Sequence, residues 1–186
     1  MARANAADDN PALAVPASGP VRIIGIDPGT RATGFGVIEF ERNHSVHVVS
    51  GVIRPKGVTL APRLLEIFEQ LGELLSLHKP DELAIERVFM HRNADSALKL
   101  GQARAAAILA GAHHGLPVFE YSPNEIKQAV TGRGHAAKQQ IQHMVRVILC
   151  LDEEPQSDRA DALAVAVAHG HTRQTLSRLR AVERRP

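Results

Sequence analysis

The chain contains one cysteine, Cys150, and no tryptophan. A single cysteine excludes a disulfide framework and a cysteine-based zinc site. In a reducing compartment, Cys150 is expected to be a buried small hydrophobe. Aromatic residues are only 3% of the chain, too few for broad platforms that stack single-stranded bases. No apolar run approaches the roughly 18 residues of a membrane helix. Asp8 and Asp9 stand where the apolar region of a targeting signal would lie. Together these absences point to a cytoplasmic protein with no membrane partner.

The composition that remains is that of one globular domain. The chain has 186 residues, 44% hydrophobic and 23% charged, with a net charge of +2. A sequence pI near 9.0 leaves nucleic acid open as a partner. Residues 1–20 are rich in Ala and Pro without periodicity and read as a disordered extension. Residues 21–172 form the expected domain. Residues 173–186 read as a flexible tail carrying Arg173, Arg178, Arg180, Arg184 and Arg185 against one acid, Glu183. Such a tail is either simply solvated or loosely attracted to phosphate.

Val21 to Ile26 is a short β-branched run stopped by Asp27-Pro28-Gly29-Thr30, which predicts a buried strand and a turn. Gly34–Phe40 and Val46–Ile53 flank the turn residues 41–45 and predict an antiparallel hairpin. Apolar residues at 64, 65, 68, 71, 74 and 75 predict a helix over 63–77. Glu82–Glu86 and Pro117–Tyr121 read as further strands, and 94–112 as an Ala-rich helix. Ser122-Pro123-Asn124-Glu125 carries an N-cap, a helix-starting proline and a capping glutamate. Gly132-Arg133-Gly134 breaks that helix, and 136–149 and 158–169 predict two more. The order implies an α/β fold with a mixed sheet between helices.

Four carboxylates stand out. Asp27 closes the first strand and Glu86 the fourth. If those strands are parallel neighbours, both acids emerge at the sheet end where ligands of open α/β sheets bind. Asp158 and Asp161 share one face of the last helix, near its positive end. Taken singly, Asp27 also suits a turn and Asp158 an N-cap. Asp161 sits in an almost wholly apolar stretch and requires a cation nearby. No fixed Arg or Lys is evident for all four, so divalent metal is the economical solution. Oxygen ligands suit Mg2+ or Mn2+, and an ion pair would suit in-line phosphoryl displacement.

Four segments carry a resemblance. They are Gly25-Ile26-Asp27-Pro28-Gly29-Thr30-Arg31-Ala32-Thr33-Gly34-Phe35-Gly36-Val37-Ile38, Ala84-Ile85-Glu86-Arg87-Val88-Phe89, the stretch from Asn93 to Arg104, and Asp158-Arg159-Ala160-Asp161-Ala162-Leu163-Ala164. In this order and spacing, from about 21 to about 172, the sequence resembles the RuvC family of bacterial Holliday junction resolvases. The resemblance implies a ribonuclease-H-like fold with a five-stranded mixed sheet. It implies an endonuclease that nicks two symmetry-related strands of a four-way DNA junction, in homologous recombination and DNA repair near the nucleoid. Asp27, Glu86, Asp158 and Asp161 are then the catalytic ligands of two Mg2+ ions per site, with Mn2+ able to substitute. One ion would lower the pKa of the attacking water and the other would neutralise the departing 3′ oxygen. The leader and the Arg-rich tail have no counterpart in the resemblance.

The same resemblance organises the candidate DNA contacts. Residues 121–150 hold Lys127, Arg133, Lys138 and Arg146 against one acid, Glu125. This basic face suits phosphates near a site whose acids repel them, though a solvated helix pair has the same composition. Lys127 and Lys138 match basic positions that similar resolvases use on the DNA backbone. Phe89 is either core or, as the family implies, a ring stacking on an unpaired base at the crossover. Arg87 and Arg92 flank it. His113 and His114 read as a helix-end region. Paired cuts on a two-fold junction call for a homodimer. Ala97, Gly101 and Ala105 form a small-residue stripe that suits either subunit contact or packing on the sheet. The RuvA–RuvB branch-migration complex is the further partner the family implies. Two other readings stay in view: an actin-like ATPase or sugar kinase, which also opens with Asp-x-Gly-Thr, and a DNA-binding module without catalysis.

Overall fold

A computed structural model describes residues 19–88 and 94–183. Ten elements follow in order: β1 (Val21–Asp27), β2 (Thr33–Glu41), β3 (His44–Ile53), α1 (Leu60–His78), β4 (Glu82–Glu86), α2 (Ala94–His113), β5 (Val118–Tyr121), α3 (Pro123–Thr131), α4 (Lys138–Ile148) and α5 (Ser157–Glu183). The five strands form one sheet in the order β3-β2-β1-β4-β5. β1 and β2, and β2 and β3, pair antiparallel, whereas β1–β4 and β4–β5 are parallel. This is the mixed sheet expected from the sequence, with a bulge between Val37 and Ile38.

Alternation along β1 divides the core. Val21 and Ile23 face a cluster built on α3, α4 and α5, while Ile24 and Ile26 face one built on α1 and α2. The α5 face of β1 therefore carries residues 21, 23, 25 and 27. By the same parity, β4 presents Glu82, Ala84 and Glu86 to that face. α5 crosses it with a run of buried small residues, Ala160, Ala162, Ala164, Ala166 and Ala168.

Three glycines let α5 lie against the strands. A Cβ on Gly25 would collide with the Ala162 carbonyl oxygen and the Ala166 backbone, on Gly34 with the Asp158 carbonyl oxygen, and on Gly36 with Leu163. The short side chains of α5 and the bare backbone of β1 and β2 are one device, because each requires the other for close packing.

The structure departs from the sequence reading at two places in the C-terminal third. The last helix does not stop at His169, and the chain from 173 is not a loose tail: α5 continues to Glu183. Gly170 fails to end it because that position packs on the Phe40 ring, with no room for a side chain. Arg173 is held in the domain by Glu82 at 3.2 Å. Cys150 is exposed, not buried. It follows the α4 C-cap Leu149 with φ +50°, a left-handed turn position between Leu149 and Leu151, both of which pack on the core, and its own side chain is left outside. Residues 1–18, Arg184 and Arg185 lie outside the described residues, as does all of the extension expected over 1–20 except Gly19 and Pro20.

Below the sheet end that carries Asp27 lies a buried polar chain. The His169 ring contacts Glu82 Oε2 at 2.7 Å through Nε2 and the Tyr121 hydroxyl at 2.6 Å through Nδ1. Burial pushes the Glu82 carboxyl up, but the His169 hydrogen bond and the charges of His169 and Arg173 outweigh it and leave its pKa below 4.5. Its contribution to stability is accordingly present above the ordinary carboxylate value and lost as the pH falls. Glu82→Ala would remove the buried carboxylate that His169 and Arg173 share. It is expected to cost about 3 kcal/mol or more, on the order of 10 °C in Tm for a chain of this length, by calorimetry at neutral pH.

Candidate active site

Asp27 ends β1 at its carboxyl end, on the face that α5 covers. β4 is the parallel neighbour, and Ile26 pairs with Ile85, so Glu86 ends its strand beside Asp27. The Glu86 backbone is pinned twice. Arg104 of α2 donates from Nε to the Glu86 carbonyl at 3.2 Å while pairing with Glu120 at 2.6 Å, and Arg87 N–H donates to the Tyr121 carbonyl at 2.7 Å. Beyond Asp27, the turn is closed by buried Thr33. Its hydroxyl accepts from Gly29 N–H at 3.2 Å and donates to the Gly29 carbonyl at 2.8 Å.

The opposite wall is the first turn of α5. Asp158 lies within that turn, since the helix begins at Ser157, and so does not serve as the N-cap the sequence suggested. The Asp158 backbone rests on Gly34, which pairs with Asp27 across β1 and β2. Three elements remote in sequence thus bring the four expected carboxylates to one place.

Their electrostatics express that convergence. The Asp27 carboxyl is pushed up to about 7, first by burial and then by the charges of Glu86, Asp161 and Asp158, with Lys138 opposing. Glu86 is raised by burial and by Asp161, offset by Lys127 and Lys138. Lys138 Nζ lies 3.0 Å from Asp161 Oδ2. Burial alone would lower this ammonium; the hydrogen bond to Asp161 and the charges of Asp161, Asp27 and Asp158 raise it instead. So the structure supplies one fixed cation, which the sequence reading did not foresee, and it leaves the cluster with a surplus of negative charge.

The donor set is all carboxylate oxygen, the chemistry that hard divalent cations select. Among the described residues no three His, Cys, Asp or Glu side chains are drawn close enough to hold an ion as they stand. The two observations are compatible. The carboxylates repel one another, and Asp161 pairs with the Lys138 ammonium. The repulsion that raises Asp27 is what a bound cation would remove, so the residues fit such an ion.

Two clefts open on these acids. One, of about 230 Å³, is lined by Glu86, Lys127, Lys138, Asp161 and the apolar edges of Pro123, Ile126, Ile141 and Ala164. The other, of about 200 Å³, runs past Asp27, Pro28, Glu86, Arg87 and Val88 to Leu100 of α2. Of the expected DNA contacts, Lys127 and Lys138 line the first cleft. Arg87 lines the second and pairs with Glu125, the α3 capping glutamate, at 2.6 Å. Arg133 is exposed just beyond α3. Phe89 and Arg92 lie outside the described residues. Arg104 is the supporting residue that sequence reasoning passed over. Its signal was its place at the end of the Asn93–Arg104 segment, on a helix face that proved to meet β4.

Comparison with known proteins agrees with this geometry. The family model described as "Crossover junction endodeoxyribonuclease RuvC" matches residues 23–169. A Chromohalobacter salexigens protein called "Crossover junction endodeoxyribonuclease RuvC" is 57% identical over 152 residues, 82% of each chain. The Hahella chejuensis protein of the same name is 54% identical over 162 residues, 87% of this chain and 94% of that one. Among solved structures, Thermus thermophilus RuvC in complex with Holliday junction substrate is similar with TM-score 0.78 and 34% identity. It covers 84% of this chain and 97% of that one. The yeast mitochondrial Holliday junction resolvase Ydc2, 12% identical with TM-score 0.64 over 92% of this chain and 88% of that one, shares the fold. No described helix is long and apolar enough to cross a membrane.

Proposed function

This chain belongs to the RuvC family of crossover junction endodeoxyribonucleases, and from that premise we propose that Asp27, Glu86, Asp158 and Asp161 form the nuclease centre with which it resolves four-way DNA junctions. The observation that carries the assignment is the convergence of the acids, in which burial first and then the charges of Glu86, Asp161 and Asp158 raise Asp27 to about 7, beside a cleft where Glu86 and Asp161 face Lys127 and Lys138. Acids so placed hold divalent metal. When bound there, Mg2+ or Mn2+ supplies water activation and charge neutralisation for phosphodiester hydrolysis.

The chain's own residues do the rest. Asp27, half-buried at the strand end, is the central ligand, with Glu86 on one side and the α5 acids on the other. Arg104 and the Tyr121 carbonyl fix the Glu86 backbone, so the ligand set is held on sheet and helix and not on mobile loop. Lys127 and Lys138 attract the phosphate backbone into a site that would otherwise repel it. Arg87 and Arg133 extend this basic edge, and Phe89 with Arg92 completes it at the crossover, Phe89 by stacking on an unpaired base. The nuclease unit runs from Val21 through α5, past the boundary expected at residue 172. A homodimer aligns two such centres with the two-fold axis of the junction, the exposed side of α2 around Gly101 and Ala105 forming the contact. The protein works in recombination and repair in the cytoplasm, at the nucleoid, with a RuvA–RuvB type branch-migration complex as partner.

The test is a synthetic four-way junction with one labelled arm, incubated with and without divalent metal. Paired, symmetric nicks that require metal are expected. Nicking of plain duplex at an equal rate would make the protein a general nuclease, and junction binding without cleavage in any divalent metal would make it a binding module.

A further inference from the structure

The basic residues already assigned lie on one side of the carboxylates. Lys127 and Lys138 come from α3 and α4 and face Glu86 and Asp161. A phosphodiester backbone passing over Asp27 continues beyond it, across β2 towards β3, and that side also carries positive charge.

Arg159 sits between Asp158 and Asp161 in sequence, yet its side chain takes the opposite direction. Its Nε and Nη2 donate to the Ser50 hydroxyl of β3 at 3.3 and 3.0 Å. Ser50 pairs with Gly36, on the sheet face that α5 covers. The Ser50 oxygen is also 2.9 Å from His47 Nε2. Since a guanidinium only donates, Ser50 accepts from Arg159 and its one hydroxyl proton goes to an unprotonated His47 nitrogen. Burial and the nearby Arg159 charge both lower the His47 pKa, which favours that neutral ring.

The consequence is a guanidinium that is fixed but not neutralised. No carboxylate lies within ion-pair distance of Arg159 among the described residues, and Ser50 uses only part of its donor fork. Two more arginines stand at the same sheet edge. Arg31 is exposed on the loop between β1 and β2. Arg54 is exposed immediately after β3, beside that loop because Ile53 pairs with Thr33. Neither forms an ion pair among the described residues. A fixed arginine costs little ordering when it meets phosphate, and its planar fork suits phosphate oxygens.

We propose that Arg159, Arg31 and Arg54 form a phosphate-binding track on the β3 side of the carboxylates, gripping the cleaved strand on the side of the scissile phosphate opposite to Lys127 and Lys138. The strand is then held at both flanks of the metal site, and Arg159 is positioned by Ser50. This inference rests on the junction-nuclease reading above.

The test is junction affinity against salt, measured without divalent metal so that the DNA stays whole. Arg159→Gln and the double variant Arg31→Gln/Arg54→Gln are compared with the unaltered protein. Each lost phosphate contact is expected to weaken binding several-fold and to reduce the log–log salt slope by about 1, so the double variant loses about 2. Ethylation interference should lose its signal on one flank of the cleavage site only. Unchanged slopes in folded variants would overturn the track. If Arg159→Gln does not fold, the exposed pair decides alone, and a wild-type slope there overturns the proposal. Failure of the unaltered protein to bind junctions would overturn the function itself, a distinct result.

Discussion

Asp27→Asn is expected to reduce metal-dependent junction nicking by about 10³-fold or more while leaving junction binding within a few-fold of the unaltered protein. The substitution keeps the shape of the side chain and removes one negative charge from the centre of the four acids. It takes away the ligand that stands between Glu86 and the two α5 acids, so cleavage suffers most. Binding does not depend on that charge, which repels the backbone. The same variant should be more stable than the parent in metal-free buffer. A carboxyl raised from 3.8 to about 7 stabilises the fold only while protonated. That contribution is full below the unfolded value and disappears as the pH rises towards 7, at about 1.4 kcal/mol for each unit of separation. Metal-free Tm should therefore fall across this pH window in the parent, more than in Asp27→Asn. Full nicking by the variant would remove Asp27 from the chemistry.

Gly34→Ala is the second large effect, and it acts through distance alone. The added methyl would occupy the place of the Asp158 carbonyl oxygen. Backbone cannot swing aside as a side-chain tip can, so the start of α5 must lift from β2. That turn carries two of the four acids. A shift near 1 Å is enough to cost roughly 10²-fold in rate, and overpacking of this kind costs about 1–3 kcal/mol in stability. Nicking assays and Tm on the same preparation should show the rate loss well in excess of any loss of folded protein. A variant that keeps full activity would mean α5 can sit higher on the sheet than the structure shows.

These two expectations mark how legible the molecule was. The strand end at Asp27 could be read because a β-branched run stops there at turn residues, and that at Glu86 because the acid closes the short apolar run Leu83-Ala84-Ile85. The capping box at Ser122–Glu125 was equally plain, since the N-cap hydroxyl and the third-position glutamate satisfy each other locally. Lys138 could be picked out as basic, but its ion pair with Asp161 could not, because it depends on how α4 and α5 pack. Arg104 was read as motif, not as the clamp on the Glu86 carbonyl. Cys150 and the length of α5 were misjudged for one reason: exposure at a turn and helix continuation past Gly170 depend on what lies beside them.

Local patterning thus specified the elements, their order and the identity of the acids, because periodicity, caps and turn residues act over a few positions of chain. Convergence of the acids, the counter-charge on Asp161 and the anchored Arg159 arose from packing. The convergence depends on three bare glycine positions in β1 and β2 that let α5 settle onto the sheet, and the counter-charge on how α4 packs beside α5. Close approach between segments more than a hundred residues apart leaves no mark in the pattern of either one.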